Sequence, residues 1–181
     1  MGAAIARLLA SKGAQVAAAG PRRRLTAAAI PGAMAVAVDL RDAGAGDRLV
    51  NEVTTRFGRL DGLVNAAGIV GFGALTDTDD VAIEELFLTN VIGPLWLLRR
   101  VIPLLSASKG FVVNISAVVA EQPLPGMASY AASKAALTAA ARAVSGEAPK
   151  LPTGLDPAVV ATRIVLAIEQ NEREVGSDQF G

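Results

Sequence analysis

The sequence predicts an α/β fold in which a parallel sheet carries helices on both faces. Amphipathic stretches of helical period alternate with short, continuously apolar runs, as in strands buried on both sides. Polar residues suited to holding a ligand also follow directly after several of those runs, at the strand ends where such sheets bind their ligands.

The elements follow in order. GAAIARLLASK (2–12) places Ile5, Leu8 and Leu9 on one helical face, and Gly13 supplies a stop. AQVAAAG (14–20) has the length and character of a buried strand, and AMAVAVDL (33–40) repeats it before a helix around 44–57. LDGLVNAAG (60–68) is the third strand region, followed by a long helix near 80–105 that Gly93-Pro94 is expected to break. GFVVNIS (110–116) is the fourth strand, a helix covers 127–146, and a last one, 157–173, starts at Asp156-Pro157. No repeat, low-complexity tract or linker divides the chain, so residues 1–181 read as a single domain.

Composition narrows the chemistry. With 52% hydrophobic residues and a mean hydropathy of +0.44, the chain can build a core. Seventeen basic residues balance seventeen acidic ones, so no overall field draws it to nucleic acid or an anionic membrane, and small molecules or copies of itself are the expected partners. Histidine and cysteine are absent, which excludes disulfides, thiolate nucleophiles, zinc sites with nitrogen or sulfur ligands, and histidine-based triads. Proton chemistry then rests on Tyr, Lys, Asp, Glu or Ser. Apolar runs fall short of about 18 residues and no basic-then-apolar leader opens the chain, so the expectation is a cytoplasmic protein without a membrane span.

The residues after the apolar runs carry the functional signal. Asn65-Ala66-Ala67-Gly68 follows the third, with small side chains that let a backbone approach a flat cofactor; Asn114-Ile115-Ser116 closes the fourth. SYAASKAAL (129–137) then sets Tyr130 and Lys134 one helical turn apart, on one face. With Asn90 in LFLTNVIGP, these residues in this order resemble the short-chain dehydrogenase/reductase family, from Gly2 to about Glu147. The resemblance implies a Rossmann-like doubly wound sheet and an oxidoreductase that moves hydride between a nicotinamide dinucleotide and a carbonyl or secondary alcohol. Tyr130 would be the acid/base, Lys134 would assist it and bond the nicotinamide ribose, and Asn90 would hold a relay water. A nearby ammonium favours a phenolate, which gives the Tyr-Lys spacing a physical reason.

Further assignments follow the same resemblance. The family serine lies thirteen residues before the tyrosine, where this chain has Ala117; Ser116, one place earlier, is a candidate if a local bulge aims it inward, and a structural hydroxyl otherwise. Ser129 and Ser133 are expected to bond helix backbone or face solvent. At the end of the second family strand stands Gly20-Pro21-Arg22-Arg23-Arg24 without a carboxylate. Arg22 and Arg23 therefore favour NADP over NAD, unless they form an ordinary solvated loop. Asp39-Leu40 resembles the pair whose carboxylate meets the adenine amino group, the alternative being a turn or cap residue. Gly2 matches the last glycine of the phosphate loop, and Leu124, Pro125 and Met127 suggest an apolar substrate or simple loop packing.

Two segments of the family pattern have no counterpart: the opening strand with most of its glycine-rich loop, and the strand and substrate loop after Glu147. The resemblance thus implies an incomplete Rossmann-like domain, truncated at its N-terminus, with an internal deletion near 147–151. The missing strand would be central, leaving a gap with unpaired backbone edges. A piece of a longer protein, a truncated product and a shortened fold all fit, and the retained apolar faces favour the first. Two readings of function stay open: an NADP-dependent oxidoreductase forming a homodimer or homotetramer, or a catalytically inactive module that binds no dinucleotide.

Overall fold

The computed structural model describes residues 1–21, 30 and 32–145. Its elements are α1 (Gly2–Ser11), β1 (Ala17–Gly20), β2 (Met34–Ala37), α2 (Ala45–Phe57), β3 (Gly62–Asn65), α3 (Asp80–Phe87), α4 (Gly93–Ser108), β4 (Phe111–Asn114) and α5 (Ala128–Ser145). Short 3₁₀ turns lie at Leu75–Asp77 and Val118–Ala120. The helix anticipated at 157–173 lies outside the described residues, as do Arg22, Arg23 and the region of the anticipated deletion.

Both described strand pairings are parallel. β1 pairs with β2 in the register Ala17 to Met34, and β3 pairs with β4 in the register Gly62 to Phe111. Among the described residues these are two separate two-stranded ladders, so the expected sheet is present as halves. One core joins them: Val36 and Val38 from the β2 segment pack with Leu49 and Val53 of α2 and Leu97, Leu98, Val101 and Leu105 of α4, and Leu63 and Val112 of the other ladder pack on the same cluster. Val113, of opposite parity, is buried too, and α5 contacts β4. The apolar runs overreach the strands by up to three residues at an end, because the ladder closes only where carbonyls and amides pair.

The expected break at Gly93-Pro94 does not occur. The chain stays helical from Asp80 to Ser108, through one π-helical turn, Leu88–Ile92. Pro94 falls in the first turn of α4, directly after the π turn, a position where a missing N–H is best tolerated. Gly93 is needed because a Cβ there would collide with the carbonyl of Leu40, in the loop after β2. By length and composition this run could cross a bilayer, a length that separate apolar runs did not reveal; in this fold Leu86, Val91, Leu97, Leu98, Val101 and Leu105 are buried within the protein.

Candidate active site

The C-terminal ends of β3 and β4, the π turn and the first turns of α5 converge. Lys134 is 5% exposed, and its Nζ donates to the Ile115 carbonyl at 3.1 Å, just past β4. A Cβ placed on Gly68 would lie 3.1 Å from both Lys134 Nζ and Asn90 Oδ1, so ammonium and amide oxygen face one point above a residue without a side chain. A side chain at position 68 would crowd both, so glycine lets the loop after β3 lie against the lysine.

Asn90 is fully buried, and its amide is completely used. The Ile69 N–H donates to Oδ1 at 2.8 Å, while Nδ2 donates to the Ile69 carbonyl at 2.9 Å and to Ser133 Oγ at 3.0 Å. Ser133, also fully buried, passes its own proton to the Tyr130 carbonyl at 2.8 Å. Asn90 therefore fastens the loop after β3 to the helical turn that bears Tyr130. Sequence reasoning placed Ser133 on helix backbone or in solvent; its backbone bond is present, and its link to Asn90 was missed. The signal available was its position three residues after Tyr130, on the same face.

Ser116 is drawn elsewhere. Its hydroxyl lies 2.6 Å from Thr138 Oγ1, and since Thr138 donates its proton to the Lys134 carbonyl, Ser116 donates to Thr138. Thr138 is eight residues beyond Tyr130, about 12 Å along a helix axis. Ala117, at the family's serine position, instead shares a small buried cluster with Val119, Ala131, Met127 and Tyr130.

The remaining candidates divide by location. Asn65 donates from Nδ2 to Asn114 Oδ1 at 3.1 Å, a buried pair that ties the ends of β3 and β4 together. Ala66 abuts Gly2, whose added Cβ would lie 3.0 Å from the Ala66 Cβ, so the start of α1 sits directly on the end of β3. Ala67 is half-buried and Gly68 exposed. Asp39 is held by Arg41 at 2.7 Å, and that guanidinium keeps its carboxyl below the usual range. Leu40 packs on the main core.

Electrostatics here come from burial. Tyr130, half-buried, has its phenol pushed above its ordinary value, and Lys134 has its ammonium pushed below its own, both by loss of hydration. The expected lowering of the tyrosine by the lysine is not the controlling effect. Tyr130 also lines a cavity of about 250 Å³ formed by the 71–79 loop, Leu86 and residues 126–130. Met127 lines it, whereas Leu124 is exposed outside it.

The family profile of short chain dehydrogenases matches residues 1–173. The chain is 35% identical over 148 residues to a short chain dehydrogenase of Pseudocercospora fijiensis, covering 76% of this chain and 48% of that one. It is 34% identical over 155 residues to an oxidoreductase of Methylorubrum extorquens, covering 81% and 62%. It thus spans about half to three fifths of those relatives. A short-chain dehydrogenase structure from Streptomyces avermitilis superposes with a TM-score of 0.83 at 25% identity, over 97% of this chain and 85% of that one. A Rossmann-like α/β framework with a buried lysine one turn from a tyrosine, and a profile match over nearly the whole sequence, place this chain in the short-chain dehydrogenase family of oxidoreductases.

Proposed function

We propose that the protein interconverts a carbonyl compound and its secondary alcohol with a nicotinamide dinucleotide, NADP in preference to NAD. The observation that carries this is Tyr130 on the wall of a cavity with Lys134 one turn along the same helix, buried with its Nζ on the Ile115 carbonyl. The small residues of the loop after β3 suit the approach of a flat ring and a ribose, and Lys134 and Gly68 would hold that end of the cofactor, with Ala66, Ala67 and the start of α1 beside it. When bound, the nicotinamide supplies or accepts the hydride. Tyr130 gives its phenolic proton to the substrate oxygen during reduction and takes it back during oxidation. The raised phenol value suits the donor role, since Tyr130 stays protonated at neutral pH. Arg22 and Arg23 support the preference for NADP.

A second reading has its own support. The two strand ladders do not join among the described residues, and Ser116 is committed to Thr138, which leaves the alternative of a catalytically inactive module. Titration of the 181-residue protein with NADPH and NADH by fluorescence separates the two. Binding of NADPH with higher affinity supports the enzyme, and binding of neither dinucleotide rejects it. Tyr130→Phe is expected to abolish turnover with cofactor affinity unchanged; retained turnover removes Tyr130 from the chemistry.

A further inference from the structure

The cavity next to Tyr130 has a definite chemical character. Phe72, Leu75, Leu86 and Met127 supply apolar wall, Asp77 and Asp79 add two acidic groups, and no lysine or arginine is among its described lining residues. Its two walls are fastened together. The Gly73 N–H donates to the Gly126 carbonyl at 2.8 Å, and Gly126, at φ +79°, brings its Cα so close to the Phe72 ring that a Cβ would lie 3.2 Å from it. Any other residue at 126 would meet both an unfavourable backbone conformation and the ring. Yet Phe72 is 81% exposed, so most of the ring's surface stays uncovered. A large exposed aromatic at a cavity rim offers a surface for an apolar ligand.

We infer that this cavity binds the non-reacting part of an apolar carbonyl or alcohol substrate that carries no negative charge, with Phe72 as a specificity-determining residue. The inference rests on the reaction proposed above, because Tyr130 lines the same cavity and would meet the reacting oxygen. Asp77 and Asp79 act as a charge filter: a carboxylate entering here meets acidic groups with no base among the described lining residues to offset them, while a neutral chain meets hydrocarbon. Asp79 has a second duty, since its side chain accepts the Val81 N–H and caps α3. Asparagine preserves that cap, so charge can be removed without unravelling the helix.

The test uses 2-octanone and 7-oxooctanoate, which differ in a terminal methyl against a carboxylate, titrated into the 181-residue protein by saturation-transfer NMR, with reduction by NADPH assayed in parallel. The ketone is expected to bind at least about tenfold more tightly than the oxo acid, a ratio typical of one or two charges at close range. D77N/D79N should narrow that gap, and Phe72→Ala, at a site too exposed to matter for folding, should weaken the ketone several-fold. Equal or tighter binding of 7-oxooctanoate, no binding of 2-octanone, or indifference of the ketone to Phe72→Ala overturns the inference. Ketone binding of the expected pattern without reduction leaves the cavity assignment standing and overturns the reaction instead.

Discussion

At the scale of single residues, Lys134 shows how burial sets a site's properties. Its ammonium is nearly enclosed and its folded value lies below the ordinary one of about 10.4. Folding therefore favours loss of that proton, and over the interval from the lowered folded value up to about 10.4 the unfolded chain holds more protons than the native one. Stability contributed by this group rises with pH across that window. Lys134→Met has no proton to lose, so the stability of wild type relative to this variant should rise from pH 7 toward pH 10. Paired thermal melts at pH 7, 8.5 and 9.5 would read this, and an unchanging difference would contradict it. Tyr130 acts oppositely only above about pH 10, because its folded value is raised, so the two do not cancel inside the window. Ser133 offers a sharper structural test. Ser133→Ala leaves one proton of the buried Asn90 amide without an acceptor, which costs about 1–3 kcal/mol. Urea unfolding should show that loss, and a value near zero would mean that Asn90 finds another partner.

At the scale of elements, the long helix and the loop after β2 depend on each other. Ordinarily a helical glycine is weaker than alanine by about 0.5–1 kcal/mol, so replacement of a glycine stabilises. Gly93 should reverse that sign, because the new Cβ would strike a backbone carbonyl, that of Leu40, which has no rotamer by which to escape. Gly93→Ala is expected to destabilise by about 1–3 kcal/mol, as overpacking does. A rise in melting temperature would show that the helix and the Asp39-Leu40 loop separate easily. The π turn just before Gly93 contributes to the same arrangement, since the wider turn carries Asn90 and both of its buried partnerships on a helix otherwise of ordinary geometry.

At the scale of the whole molecule, what could be read in advance was what depends on local pattern. Ile5 is buried on the helical face the periodicity assigned, with Leu8 and Leu9 half-buried beside it, and the ends of β3 and β4 meet as parallel topology requires. Partnerships decided by distant chain were not readable: Asn90 with Ile69 and Ser133, Ser116 with Thr138, and the Phe72 ring against Gly126. Spacing shows which residues share a face, but not which hydroxyl an amide will choose when several lie in reach. The same distinction bears on the two ladders. Their hydrogen bonds are separate, yet their apolar faces share the cluster around Leu97. If that cluster is what unites them, Leu97→Ala, expected to cost about 2–5 kcal/mol, should lower amide-exchange protection of β1–β2 and β3–β4 together. Loss confined to one ladder would mean that each stands on its own helix, and that the shared core is adjacency without cooperation.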